Sequence, residues 1–112
     1  MDKIEKYKDI IEEELSYRKA VKIANAPQLK RHLIMNEERT QFILMDIGWF
    51  KKRYLSDVIF HIGIVDDKVW LHNNFTDIDI AGQLAKSGIS KSDIVLAFLP
   101  KFIQETTEYA VA

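Results

Sequence analysis

Two of the three histidines, His61 and His72, have the residue type and spacing that come nearest to a metal site. If their strands pair around a two-residue turn at Asp66-Asp67, the two side chains lie directly opposite each other. Opposed side chains in an antiparallel pair have Cβ atoms about 4.5–5.5 Å apart, close enough to share a metal ion. Asp57, on the same face of a regular strand, would lie about 13 Å from His61. Because no third ligand is evident, we expect two half-buried histidines beside Trp70 and neither a metal nor another cofactor.

A run of aromatic and basic residues, Trp49-Phe50-Lys51-Lys52-Arg53-Tyr54, is the second candidate. Cations can hold phosphates while an aromatic ring stacks on a base, as in nucleic-acid binding. Aromatic residues and Arg are also enriched at protein interfaces. The alternative is a solvated turn whose rings fill the edge of the core. The candidate residues for contact with a partner or nucleic acid are Trp49, Phe50, Lys51, Lys52, Arg53, His61, Trp70 and His72.

Catalytic chemistry finds little support in the sequence. Asp66-Asp67 is explained by a turn, and Asp77 with Asp79 by the capping of a helix. The chain has no glycine-rich phosphate loop, no nucleophile elbow and no His-Glu zinc motif. It has no cysteine, which excludes disulfides, thiolate metal sites and a cysteine nucleophile. The sequence therefore favours a binding or regulatory protein, with no catalytic residues, over an enzyme.

The formal net charge of −1 hides a division along the chain. Between Arg18 and Arg53, nine basic residues stand against three acidic ones, whereas the segments before and after are acidic. Such asymmetry can mark a nucleic-acid-binding face. The alternative is a set of solvated faces whose charges mix once the chain folds.

The length of 112 residues and the 47% of hydrophobic residues suit one domain with a core that needs no disulfides. We expect a single domain over residues 1–112. The longest apolar run, Val58–Val65, contains His61 and Gly63 and is too short to span a membrane. A small soluble domain, located in the cytoplasm and without membrane contact, is the expectation.

Two helices are predicted from apolar residues that recur every three or four positions. The first runs from Asp2, its N-cap, to about Lys19, and Glu5 completes a capping box. The second begins after Thr76, which is its predicted N-cap with Asp79 as an acidic capping-box partner. It ends before Gly88, a residue typical of the position after a last helical turn.

Alternating apolar residues predict an antiparallel sheet of about four strands, built from two hairpins. The first hairpin joins Arg31–Met35 to Thr40–Ile47, and the latter is apolar on both sides, as is typical of a central strand. Gly48-Trp49 closes that strand. The second hairpin joins Tyr54–Val65 to Lys68–Asn73. With the helices packed on this sheet, the fold class is α+β.

The two-residue turn of the second hairpin fixes its register. Val65 then opposes Lys68, and the aliphatic side chains of the two strands share one face. On the other face Gly63 opposes Trp70, which leaves room for the indole.

The C-terminal region is harder to assign. Ser90 and Asp93 predict a short helical turn, whereas Ile94–Leu99 is apolar but too short to separate a strand from a helix. Pro100 ends that segment. The tail that follows is expected to dock on the body through Phe102, Ile103, Tyr109 and Val111.

Six segments, taken in order, resemble one family over nearly the whole chain. They are Met1–Tyr7, Asn36–Trp49, Val58–Trp70, Thr76–Leu84, Ser92–Leu96 and Ala110–Ala112. The chain resembles the XisI family, the fdxN element excision controlling factors.

That resemblance implies an accessory factor which, with a partner called XisH, lets a site-specific recombinase excise a DNA element from the chromosome of filamentous nitrogen-fixing bacteria. It assigns no catalytic residue. The leading hypothesis is therefore protein–protein contact with an XisH-type partner. Direct DNA binding through the basic Arg18–Arg53 region is the alternative, and a second copy of the chain is a further candidate partner.

The chain departs from the family pattern at three places. Asp66-Asp67 stands where relatives often have Asp-Gly, and His72 stands where Gln is common. After Pro100, where relatives commonly carry a basic pair, Lys101 is followed by Phe102. If that pair contacts a partner or DNA, this chain has altered the contact.

Overall fold

The structure, a computed structural model, describes residues 2–21, 25–73 and 78–112. The elements are α1 (Lys3–Ala20), β1 (Leu29–Met35), β2 (Gln41–Phe50), β3 (Arg53–Val65), β4 (Lys68–Leu71), α2 (Ile80–Lys86), β5 (Ile94–Leu96) and α3 (Lys101–Gln104). The strands form one sheet in the order β1-β2-β3-β4-β5. The first four are antiparallel, and β5 runs parallel to β4. The predicted α+β fold is confirmed, with five strands in place of about four.

Helix α1 lies where its periodicity predicts it. The Asp2 carboxylate accepts a hydrogen bond from the backbone N–H of Ile4 at 3.2 Å, as an N-cap does. Glu5, the second member of the predicted capping box, forms ion pairs with Lys8 and Arg39. The buried stripe of the helix is Tyr7, Ile11 and Leu15.

The hydrophobic core lies between one face of the sheet and the two longer helices. We call this the inner face, and it carries Phe42 and Leu44 of β2 and Ile62 of β3, all of them buried. Side chains from α1 and α2 complete the same cluster. Because neighbouring residues of a strand point to opposite sides, the residues between these form an outer face.

The sheet contains three consecutive hairpins where the sequence predicts two. Strand β2 does not close at Gly48-Trp49 but continues to Phe50, and only Lys51 and Lys52 separate it from β3. Gly48 continues the ladder because it adopts a φ of +138°, which glycine tolerates without strain. Lys51 takes the positive φ, +56°, that the tight turn requires.

The predicted register of the β3–β4 hairpin is confirmed. Val65 opposes Lys68 and Gly63 opposes Trp70, while Asp66-Asp67 forms the turn with φ of +50° and +64°. The reason given for Gly63 is wrong, however. A Cβ at this position would meet the side chains of His72 and Gln41 at 2.9–3.1 Å, so these polar groups occupy the space in place of the indole.

A bulge in β3 changes which side chains share a face. Leu44 opposes Phe60 and the next residue, Met45, opposes Val58, so Ile59 is an extra residue in the strand. Beyond it the alternation is shifted by one position. Asp57 therefore lies on the inner face while His61 lies on the outer, which removes the carboxylate from the histidine pair.

Helix α2 begins later than predicted. Its N-cap is Asp79, whose carboxylate accepts from the N–H of Gly82 at 3.0 Å. The predicted cap Thr76 and its neighbour Asp77 lie outside the described residues. Gly88 follows the last turn with a φ of +122°, as predicted.

The C-terminal region docks through a polar residue. The ambiguous segment Ile94–Leu99 begins with strand β5, and Tyr109 packs against the core. Phe102 is 70% exposed, and Ile103 and Val111 are also exposed, so most of the predicted apolar docking is wrong. Gln104, at 3% exposure, is the buried residue of α3.

Gln104 bonds to three backbone groups. Its Nε2 donates to the carbonyls of Leu96 and Leu99 at 3.2 and 2.8 Å. Its Oε1 accepts from the N–H of Ala112 at 2.8 Å. The side chain therefore ties the tail to the end of β5. No helix in the described residues combines the length and apolarity that crossing a membrane requires.

Candidate interaction surface

The outer face of β1–β3 carries a partly exposed strip of aliphatic and Met side chains. The register places Ile34 beside Ile43 and Met45 beside Val58, and each pair bridges two strands on this face. None of these side chains is buried, and Ile34 is 47% exposed. The outer strip is the set Ile34, Ile43, Met45, Ile47 and Val58.

The β2–β3 hairpin extends past the rest of the sheet as an arm tip, residues 49–54. Strand β1 reaches only to the pair Leu29–Gly48, so the residues that follow have no strand beside them on that side. Trp49 and Tyr54 face each other edge-to-face, with ring centroids 5.4 Å apart. They are 51% and 59% exposed, so their rings do not fill the edge of the core.

The cations of the arm tip are free of carboxylates. Lys51, Lys52 and Arg53 are exposed, and none of them forms an ion pair with any residue that the structure describes. The ammonium of Lys51 lies 5.5 Å from the ring centre of Phe50. This is a cation–π contact at an exposed site, where such contacts are weak.

The other three arginines of the basic stretch are, in contrast, neutralised. Arg18 pairs with Glu14 at 2.7 Å and Arg31 with Asp46 at 3.0 Å. Arg39 binds three carboxylates of α1, and two of them, Asp9 first and then Glu12, raise the pKa of its guanidinium. Lys22 lies outside the described residues. The stretch therefore does not fold into one basic face, and its cations without an ion pair among the described residues are Lys19, Lys30 and the three of the arm tip.

His61 and His72 lie against each other on the outer face, as the register predicts. Their ring centroids are 4.4 Å apart, and the N–H of His72 donates to the carbonyl of His61 at 2.9 Å. The Nε2 of His61 lies 2.8 Å from the Oε1 of Gln41. Burial, and secondly the charge of His61, lowers the pKa of His72 from its ordinary value of 6.5. Because the charged form is disfavoured, His72 is neutral at pH 7.

Gln41 is a member of this cluster that the sequence analysis missed. Gln41 opposes Gly63 through the β2–β3 pairing, and predicting that third hairpin from the two-residue spacing at Lys51-Lys52 would have placed it there. Within the described residues, no group of three or more His, Cys, Asp or Glu side chains is arranged to hold a metal ion. The arrangement is a hydrogen-bonded polar patch.

Trp70 lies at the covered end of the outer face. Its strand neighbour Val95 is fully buried and bridges to Ala110 of the tail. The Nε1 of Trp70 is buried and has no hydrogen-bond partner in the described part of the chain. The outer face is thus open over β1–β3, whereas at β4 and β5 the Nε1 of Trp70 and the side chain of Val95 are buried.

The candidate contact residues therefore form two groups. The arm tip carries Trp49 to Arg53, while His61, Trp70 and His72 lie about 20 Å away along β3, at ~3.3 Å per residue. The outer strip connects the two groups on one face.

Comparison with known proteins gives one consistent result. The family model described as XisI protein matches residues 1–111. A crystal structure of a XisI-like protein from Anabaena variabilis ATCC 29413 is 28% identical, with a TM-score of 0.88, covering 98% of this chain and 100% of that one. A crystal structure of fdxN element excision controlling factor XisI from the same organism is 26% identical, with a TM-score of 0.80, covering 99% of this chain and 100% of that one. No curated protein matches the chain significantly.

Proposed function

This chain belongs to the XisI family, and from that membership we propose that it is an accessory factor controlling the site-specific excision of a DNA element. In this proposal it acts without catalysis of its own, by contact with an XisH-type protein. A similar chain that is named as an excision controlling factor supports the role in excision. The arrangement of the outer face supports the mode of action.

The observation that carries this proposal is the outer strip ending in the exposed Trp49–Tyr54 pair. Protein interfaces are dominated by a few aromatic and Arg anchors surrounded by apolar contacts. The arm tip offers two such rings on the outer face, and the strip offers the contacts around them. A partner seated on this face would cover most of the exposed apolar area of β1–β3.

We expect the protein, co-expressed with an XisH-type protein, to elute as a complex in gel filtration at micromolar concentration. Trp49→Ala is expected to weaken that complex by about tenfold or more, since truncated aromatic hot spots cost about 2 kcal/mol. Because Trp49 is half exposed, thermal unfolding of the variant should change little.

Phe102→Ala is the matched control, because Phe102 is an exposed aromatic residue outside the arm tip and the outer strip. It should leave the affinity unchanged. Separate elution of the two wild-type proteins, or equal losses in both variants, would contradict the proposed contact.

DNA binding by the arm tip is the second candidate, favoured by the three cations without carboxylate partners. We expect the triple change of Lys51, Lys52 and Arg53 to Glu to abolish binding to duplex DNA at low salt. In the wild type, the logarithm of the affinity should fall with the logarithm of the salt concentration, with a slope of about −0.9 per phosphate contact. Fluorescence anisotropy measures both effects.

The control is a double variant, Lys86→Glu with Lys101→Glu, which changes the net charge in the same direction at exposed positions outside the arm tip. It should retain most of the binding. If wild-type protein does not associate with either duplex or single-stranded DNA at low salt, this second function is excluded.

A further inference from the structure

Strand β3 has a free edge over its first half. It pairs with β2 along its whole length, but with β4 only over Ile62–Val65. From Arg53 to Phe60 no strand among the described residues lies on the other side. The burial pattern agrees, because Arg53, Tyr54, Ser56 and Asp57 are all exposed.

The pairing with β2 determines which backbone groups point out of this edge. Flanking a two-residue turn, Phe50 and Arg53 form a hydrogen-bonded pair, and the pairs alternate from there. In the non-hydrogen-bonded pairs that alternate with these, the residue of β3 directs its N–H and C=O groups away from β2. The backbone groups directed away from β2 are therefore those of Tyr54, Ser56 and Val58.

We propose that this edge pairs antiparallel with the same edge of a second copy of the chain, about a two-fold axis at Ser56. Ser56 then opposes Ser56 of the second copy, and Tyr54 opposes Val58 of the second copy on both sides of the axis. The outward N–H and C=O groups of Tyr54, Ser56 and Val58 all find a partner in this register. Each of the three opposed pairs forms two backbone hydrogen bonds, about six in total. An aromatic residue opposite a β-branched one is a favourable cross-strand pair.

The charges on the inner side of this edge fit a second copy. Arg53 and Asp57 carry opposite charges, and neither forms an ion pair with any described residue. In the proposed register, each Asp57 has two diagonal neighbours in the other copy, Arg53 and the second Asp57, so that the four charges lie in the order Arg, Asp, Asp, Arg and each carboxylate has one Arg beside it. Such neighbours lie about 7–8 Å apart, within reach of an Arg side chain, and the contact occurs twice.

The neighbouring registers are less favourable. Centred on Asp57, the pairing would place two carboxylates directly opposite each other, which destabilises a sheet. Centred on Val58, it would bring the second copy into the position that β4 occupies beside His61. Centred on Tyr54, it would leave Val58 facing the turn of the other arm. Only the register at Ser56 satisfies every outward group.

This inference does not rest on the proposed function. The pairing extends the sheet in its own plane and leaves Trp49 and the strip residues of β1 and β2 open to another protein, while Tyr54 and Val58 border both contacts. The two contacts can therefore be tested separately.

A single cysteine at the proposed axis tests the pairing directly, because the chain contains no cysteine of its own. Opposed residues of a hydrogen-bonded antiparallel pair have Cα atoms about 5.5 Å apart, within the range for a disulfide. Ser56→Cys should therefore form a covalent dimer under mild oxidation, seen on a non-reducing gel. Ser16→Cys, an exposed position on α1, is the matched control and should crosslink at least tenfold more slowly.

A second pair of variants tests the backbone hydrogen bonds. Ser56→Pro removes the outward N–H but no bond to β2, whereas Ser56→Val keeps the N–H and suits a strand. In sedimentation equilibrium, the proline variant should dissociate at a concentration at least tenfold higher than the valine variant. Circular dichroism checks that both are folded.

Crosslinking of Ser56→Cys no faster than the Ser16→Cys control, or equal association of the proline and valine variants, would overturn the inference. So would a monomeric wild type whose XisH-type complex is lost on Ser56→Pro, because the edge would then receive a partner's strand. If Trp49→Ala weakens the XisH-type complex and leaves the crosslinking unchanged, the two surfaces are distinct, as proposed.

Discussion

Gly48→Ala is expected to destabilise the protein by about 3 kcal/mol or more. Gly48 has a φ of +138°, in a region that costs a residue with a Cβ roughly 1–3 kcal/mol. A Cβ there would also lie within 2.2 Å of the carbonyl oxygen of Gln28. That atom belongs to the backbone just before β1, so the clash can be relieved only by displacing β1 or the residues that lead into it.

Gly63→Ala is the matched control, since Gly63 is also a strand glycine but has no positive φ. Its added Cβ would meet the far ends of the His72 and Gln41 side chains at 2.9–3.1 Å, and these can rotate away. We expect a loss of about 1 kcal/mol, in the range of small overpacking effects. Urea unfolding of both variants measures the difference; equal losses would contradict a backbone clash at Gly48.

Gly48 affects both the stability of the protein and the position of the candidate contact surface. It is the last residue of β2 that β1 covers, so the arm tip begins directly after it. A displaced strand at this point would move the Trp49–Tyr54 pair relative to the outer strip. Gly48→Ala should therefore weaken the XisH-type complex even at temperatures where the variant is still folded.

The register of β3 and β4 could be predicted from sequence because two independent signals agree. A two-residue turn at Asp66-Asp67 permits only one alignment, and that alignment places Ile62 and Leu71 on the buried face. The bulge at Ile59 left no such signal. It lies inside a run in which nearly every residue is apolar, so a one-residue shift does not disturb the pattern.

The long-range ion pairs of Arg39 could not be predicted for a different reason. Its partners on α1 are 27 to 34 residues earlier in the chain, and only the packing of the helix on the first hairpin brings them together. Charge counted along the sequence therefore overstated the basic face. The count included three arginines whose charges are neutralised in the folded protein. It did not distinguish them from Lys51, Lys52 and Arg53, which form no ion pair with a described residue.

The residue types of the candidate site were evident from sequence, whereas their arrangement was not. Aromatic rings beside cations indicate a contact surface, but the alternative that the rings fill the core depends on where neighbouring strands end. Here β1 stops opposite Gly48, and this leaves Trp49 and Tyr54 without cover. The length of a neighbouring strand is set by tertiary packing and leaves no mark in the six residues of the arm tip.

Gln104→Leu is expected to cost about 1–3 kcal/mol and to loosen the tail, although it places an apolar residue of similar size in a buried position. The amide satisfies the carbonyls of Leu96 and Leu99 and the N–H of Ala112. The carbonyl of Leu96 keeps the N–H of Leu99 as a partner and Ala112 is exposed, so the main loss falls on the carbonyl of Leu99, and a buried carbonyl without a partner costs about 1–3 kcal/mol. Part of that cost is recovered if the tail detaches and water solvates these groups.

Detachment of the tail would remove the Val95–Ala110 bridge from the edge of β5, the strand that lies beside Trp70. We therefore expect faster amide hydrogen exchange over β5 and a red shift in the fluorescence of a Trp49→Phe background, where Trp70 is the remaining tryptophan. Phe102→Ala removes a larger apolar side chain from the same helix, yet it should cost less than about 0.5 kcal/mol because that ring is exposed. If Phe102→Ala proves the more damaging change, the tail is held by its apolar side chains, and the polar anchor at Gln104 is disproved.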